Sequence, residues 1–288
     1  MEFDEYQRLS KATDVRPDPR DVGFPLLGLA GEVGSLVAEY KKRLRAGASY
    51  EGFEAEVCEE LGDLLWYAAA LARTLGVSLS DIAAANLKKA ELAWGEALPP
   101  PSTYDARFPA EQRLPRRFTV QFVAHERGGI PHVAMYLGTR AVGDPLNDNA
   151  AEEDHYRFHD ALHLAHAAVL GWSPLFRSLL GRKRKQDPET DRVEDGARAI
   201  FLEEGLVAYV FSVAAGHGFF EDARRVDWDL LKTVRRITGK LEVADQPPTA
   251  WQRAILQGYE VWRGLRQHGG GLVQGDLDQR SLRFVAPV

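Results

Sequence analysis

The chain has 288 residues, 45% of them hydrophobic, and a formal net charge of -6. That length can bury two cores, while a single cysteine, Cys58, leaves no intrachain disulfide framework or thiolate metal cluster. No stretch approaches the roughly 20 consecutive apolar residues of a membrane span. The acidic opening MEFDEYQRLS is unlike a secretory signal, so a cytoplasmic protein without a membrane partner is expected. Residues 1–98 hold 11 Lys and Arg against 17 Asp and Glu, whereas the rest holds 25 of each. The acidic third repels a phosphate backbone, which argues against extended nucleic acid as its partner.

In chain order, apolar periodicity predicts a short helix near Phe3 to Ala12. Three longer helices follow, over Phe24 to Leu44, Phe53 to Leu75 and Ile82 to Trp94. Gly76 to Ser78 ends the third, and Ser80 with Asp81 starts the fourth. Five prolines in residues 97–117 then break every helical period. The division expected is a four-helix module over 1–98, a proline-rich connector over 99–117 and a second domain over 118–288. In that domain FTVQFVAHERGGIPHVAMYL alternates around Gly128 and Gly129, predicting a β-hairpin near 118–137. Helices are expected around 151–170, 174–181, 195–216, 227–240 and 248–267, with a Gly-rich tail from Gly269. The fold class is mainly α, a helical module joined to a helical domain carrying a small hairpin.

At 100° per residue, Leu29, Val33, Leu36 and Tyr40 form one face of the second helix, with Glu32, Ser35 and Glu39 along its border. In the third helix Val57, Leu61, Leu64, Ala68 and Leu71 point inward, and Glu56, Glu60 and Asp63 line one flank. Carboxylates at i, i+3 can share a hard dication, which neutralises a polyphosphate and activates water. The basic run Lys41, Lys42, Arg43 and Arg45 supplies phosphate contacts. A single i, i+3 pair is more often a solvated edge, so spacing alone does not decide. Trp66, Tyr67 and Trp94 have the ring faces to stack on a base, but aromatics at such positions more often fill core.

GLAGEVGSLVAEYKKRL, then EELGDLLWYAAALA and DIAAANLKKAELAW, resemble the MazG-like all-α nucleoside triphosphate pyrophosphohydrolases over about residues 25–95. That family carries an ExxE pair, an ExxD pair on the next helix, and an Asn and a basic residue on the helix after. The resemblance implies catalytic and magnesium-binding roles for Glu32, Glu60 and Asp63, substrate contacts from Asn86 and Lys89 beside Lys41 and Lys42, and cleavage of a nucleoside triphosphate to monophosphate and pyrophosphate. It also implies Mg2+ (or Mn2+) as cofactor and a homo-oligomer, a dimer or larger. One position departs: Ser35 stands where the second acid of the first pair belongs, a neutral hydroxyl in place of a charged ligand. Glu39, one turn on, is the residue placed to compensate.

In the second domain His155, His159, His163 and His166 step along one predicted helix. HDALH has the two-imidazole spacing of HExxH, with Asp160 in the glutamate's place, and Glu203 and Glu204 interrupt a later apolar helix. Three readings fit: a metal-free polar network, a second metal site built from His159, Asp160, His163, Glu203 and Glu204, or surface histidines. RKRKQD reads as solvated loop or as a phosphate or protein contact. The leading expectation is thus a pyrophosphohydrolase whose second domain adds regulation, selectivity or another activity. The alternatives are a weakly catalytic nucleotide sensor, and a hydrolase centred on the histidines with the bundle as a dimerisation scaffold.

Overall fold

The computed structural model describes residues 1–94, 100–101 and 103–287, with side chains described to Glu91 in the first stretch. The chain divides into two units, Met1–Glu91 and Leu92–Val288; the boundary expected at 98–99 lies outside the described residues. Those residues hold ten α-helices and one five-stranded antiparallel sheet.

The first unit contains α1 (Phe3–Leu9), α2 (Gly23–Ala46), α3 (Phe53–Leu75) and α4 (Leu79–Trp94). The expected first helix tightens into a 3-10 turn at Ser10–Thr13. Asp21 accepts the Gly23 and Phe24 amide protons and so satisfies donors at the start of α2. Gly76, at φ 69°, closes α3, with the Val77 amide returning to the Ala72 carbonyl. α4 begins earlier than expected because Ser78 rather than Ser80 caps it. The Ser78 hydroxyl accepts the Asp81 amide, and Asp4 and Gln7 of α1 accept the Ser80 and Leu79 amides. α2 and α3 approach so closely at Gly28 that a Cβ there would lie 2.2 Å from the Tyr67 ring.

The apolar faces read from the sequence are not an enclosed core. Val33, Tyr40 and Leu61 are 50%, 55% and 49% exposed, and Val37 and Leu44 beside them are exposed too. The small buried cluster of this unit, Ala69, Ala72 and Leu79 with Tyr6 and Leu65, sits near α1. The reason is geometric: the α2 face turned to α3 runs through Gly28, so Leu29, Leu36, Leu64 and Leu71 are half-buried while Val33, Tyr40 and Leu61 stay outside the contact.

The second unit carries a larger core. The expected hairpin is β1 (Arg117–Arg127) and β2 (Ile130–Leu137), paired Arg127 to Ile130 across Gly128 and Gly129, both at positive φ. The sheet then grows beyond that hairpin. β3 (Arg140–Leu146) lies between the expected hairpin and the first helix expected after it, and β4 (Gly271–Asp276) and β5 (Ser281–Ala286) use the Gly-rich tail, in the order β3-β2-β1-β4-β5. Glycine is what admits β4: a Cβ on Gly275 would lie 2.1 Å from the Phe118 ring.

Around the sheet lie α5 (Asp160–Ala165), α6 (Pro174–Leu179), α7 (Pro188–Val193), α8 (Ala197–Ala215), α9 (Trp228–Thr238) and α10 (Pro248–His268). The helix expected over 151–170 is a 3-10 turn, α5 and one π-helical turn, His166–Leu170, all buried from Arg157 to Leu170. α10 crosses α5 at Gly258, where a Cβ would meet Leu162 at 2.7 Å. Trp172, Trp251 and Trp262 are at most 1% exposed, each contributing on the order of 2–3 kcal/mol by burial.

Residues read as connector are packed into this unit: Leu114 joins its core, Phe108 is buried, and Asp105 binds Arg116 and Arg177. Arg184, in the run read as loop, is 1% exposed and grips both Asp195 and Glu242.

Candidate active site

α2 and α3 set the acids against one another. Stepping from Gly28, which touches Tyr67, the α2 positions Glu32, Ser35 and Glu39 recur at i+4, i+7 and i+11 and so share the face turned to α3. Glu32 and Glu60 are half-buried, Asp63 is exposed and Ser35 is half-buried. Glu60 is the group whose charge is most contested. Burial raises its pKa above the ordinary 4.5, and a hydrogen bond shared with Glu32 and the charges of Glu32, Asp63 and Glu39 push it the same way. Glu32 and Asp63 beside Glu60 form a hard-oxygen set of the kind that holds a divalent cation.

Glu39 is not a free ligand. It is 5% exposed, its carboxylate takes the Lys42 ammonium at 2.5 Å and the Tyr50 hydroxyl, and the Lys42 bond followed by the Tyr50 bond lowers its pKa. Lys42 is thereby turned to Glu39 and away from a simple phosphate role. Tyr50 lies in the connection between the helices and was not singled out in the sequence. A phenol there, one short loop from an acidic helix border, is the signal that identifies it.

Lys41, Asn86 and Lys89 are exposed, and none makes a hydrogen bond or ion pair with the acids among the described residues. The aromatics are structural where their side chains are described. Tyr67 packs on Gly28, and Trp66 donates its indole N–H to Thr13 Oγ1 at 2.7 Å. The Trp94 side chain lies outside the described residues.

A cleft of about 680 Å3 opens elsewhere on this unit, lined by Arg8, Lys11, Asp14, Arg16 and Arg73 among others. Asp14 already pairs with Arg16 and Arg73 there. Glu32, Glu60 and Asp63 do not line it.

Residues 26–92 match the model of the MazG nucleotide pyrophosphohydrolase domain, and residues 99–288 match that of the MazG C-terminal domain. The chain belongs to the MazG family. Within this MazG chain the acidic face falls wholly inside the first match, and the histidine cluster inside the second. A similar protein is the Gene 37 protein of Mycobacterium phage L5, 34% identical over 97 residues, covering 31% of this chain and 85% of that protein. No solved structure matches. Among the described residues no single helix is long and apolar enough to cross a membrane.

The histidines of the second unit divide. His155 lies outside α5 in a left-handed turn, with its Nδ1 close to Glu153 and Arg157. His159, His163 and His166 are buried and converge with Asp160, Glu203 and Glu204. They are not surface histidines.

Proposed function

We propose that the first unit is a Mg2+-dependent nucleoside triphosphate pyrophosphohydrolase, also served by Mn2+, that converts an NTP or dNTP to its monophosphate and pyrophosphate. The observation that carries this reading is Glu60, crowded by Glu32, Asp63 and Glu39 on the facing sides of two helices of a MazG domain. Glu32, Glu60 and Asp63 are the residues that hold the ion, with the Ser35 hydroxyl as a neutral partner. The ion, when bound, neutralises phosphate oxygens and the charge developing on the departing pyrophosphate.

The chain's own residues do the rest. A carboxylate of this acidic face accepts a proton from the water that attacks the α-phosphorus, and the bond from that phosphorus to the bridging oxygen breaks, its electron pair leaving with pyrophosphate. Glu39, clamped by Lys42 and Tyr50, fixes the end of α2 so that Glu32 and Ser35 keep their register against α3. Lys41, Asn86 and Lys89 bind the outer phosphates. Val33, Val37, Tyr40, Leu44 and Leu61, exposed beside the acids, are the surface on which a second copy closes the cleft and excludes water. The second unit contributes selectivity or regulation.

The deciding experiment incubates the purified chain with each NTP and dNTP plus Mg2+ and measures pyrophosphate, in parallel with Glu60→Ala. Turnover of at least one nucleotide that disappears in the variant is expected. Ser35 favours a second reading, a nucleotide sensor with little turnover. Binding without hydrolysis by the wild type, together with activity gained in Ser35→Glu, selects that reading.

A further inference from the structure

The second unit holds a group of donors that the acidic face of the first does not use. His159 ends a 3-10 turn and His163 follows one helical turn later, so both imidazoles stand on the same side of α5. The Nδ1 of His159 donates to the Tyr156 carbonyl at 2.8 Å, and Tyr156 stacks on its ring with centroids 4.2 Å apart. That bond fixes the tautomer and leaves Nε2 with a lone pair. His163 is oriented the same way, with Nδ1 3.0 Å from Glu203 Oε1 and Nε2 turned to Glu204. Both ring nitrogens of His163 are buried, and neither makes a well-aligned hydrogen bond.

Adjacent positions on α8 point about 100° apart, and this separates the roles of the two glutamates. Glu203, 0% exposed, is saturated by Ser173 Oγ, the Leu175 amide and His166 Nδ1, and it braces His163. Glu204 faces the other side, with its carboxylate 3.8 Å from His159 Nε2 and 3.5 Å from His163 Nε2, and 40% of its side chain reaches solvent. Asp160, buried beside them, meets His159 Nε2 at 4.0 Å.

These separations decide between a bonded network and a shared ion. Gaps of 3.5–4.0 Å are longer than hydrogen bonds, yet they lie near the edge of about 3.3 Å of a tetrahedron whose centre is ~2.0–2.1 Å from each donor. Donor atoms of His159, Asp160 and His163 also all fall within 4.8 Å of one another. His159 is bonded through Nδ1 and His163 aims its Nδ1 at Glu203, while Asp160 lies within the same donor group and Glu204 approaches both Nε2 atoms; these are the surroundings of a metal ligand pair and its bracing residues.

We propose that His159 Nε2, His163 Nε2, Asp160 and Glu204 form a binding site for a first-row divalent transition metal such as Zn2+, with Glu203 and the Tyr156 carbonyl orienting the two imidazoles. Nitrogen donors select such an ion over Mg2+, which takes oxygen, so this site is chemically distinct from the one in the first unit. Glu204 is the one donor of the four that comes from α8, so an ion held by this set ties α5 and the turn before it to α8, with the half-exposed Glu204 carboxylate at the solvent edge.

The test uses the full chain, stripped of metal and re-equilibrated with Zn2+ alone, with bound zinc counted by elemental analysis and affinity read by calorimetry. Wild type should hold one more equivalent than the His159→Gln, His163→Gln double variant, and Glu203→Gln should weaken that equivalent by about 10–100-fold. Because the double variant can fail to fold, Glu204→Gln at the solvent edge is measured beside it, with folding followed by circular dichroism. It is expected to bind zinc at least about 10-fold more weakly. Zinc should also raise the unfolding temperature of the wild type. Equal zinc content and affinity in wild type and Glu204→Gln, with no shift in unfolding temperature, overturns the proposal and leaves a proton-held network of histidines and carboxylates.

Discussion

Both units place carboxylates at the border of an apolar helix stripe, and the two stripes meet opposite fates. In the first unit Glu60 remains half-buried among like charges while Val33, Tyr40 and Leu61 beside the acids stay open. In the second, Glu203 interrupts a more apolar helix but is 0% exposed and fully bonded. What differs is the supply of covering layers. The second unit provides a sheet and several helices within the chain, so Glu203 becomes structure. The first provides a helix hairpin and little over it, so its acids remain available for chemistry.

The comparison breaks most visibly if acids of both units respond alike to removal. Asp195→Ala takes one of two carboxylate partners from each of the buried cations Arg184 and Arg177 and should cost about 3 kcal/mol, seen by denaturant titration. Glu60→Ala should do the opposite, abolishing at least about 100-fold of turnover, the scale of one preorganised electrostatic group, while metal-free stability stays equal or rises. A loss of stability in Glu60→Ala as large as that in Asp195→Ala would erase the distinction.

A smaller effect concerns the open stripe. Val37→Asp with Leu44→Asp should raise the dissociation constant of an assembled oligomer at least about 5-fold, as for a moderate interface anchor. Sedimentation over a concentration series checks this, and an unchanged mass would mean that the stripe is not an interface.

The smallest is a pH effect. An acid whose pKa is raised on folding favours the folded state below its ordinary value, here 4.5, and that contribution is lost as pH rises through the folded value. The metal-free first unit should therefore unfold at slightly lower temperature as pH climbs from about 4.5 toward neutrality, and Mg2+ should reverse the fall. Glu60→Gln should remove most of the dependence.

Several elements were legible because their signals are local. The limits of α3, the Gly128–Gly129 hairpin and the acid spacing all follow from periodicity and turn chemistry within a few residues. β4 and β5 were not, because a Gly-rich tail becomes strand only when β1 offers an edge and Phe118 fills the space a side chain on Gly275 would need. Arg184 likewise reads as a solvated charge until Asp195 and Glu242 are brought to it from distant positions.

The sequence by itself determined where most of the longer helices form, the MazG resemblance of residues 25–95 and the order of the acids Glu32, Glu60 and Asp63, since each rests on neighbours along the chain. Only the tertiary structure decided that Glu39 is clamped by Tyr50 and Lys42, that His155 leaves the stripe its sequence spacing assigned it to, and that Glu203 and Glu204 face different partners. The physical reason is common to all three. Whether a polar side chain is free, bonded or buried depends on what the rest of the chain packs against it, and one-dimensional spacing carries no record of that packing.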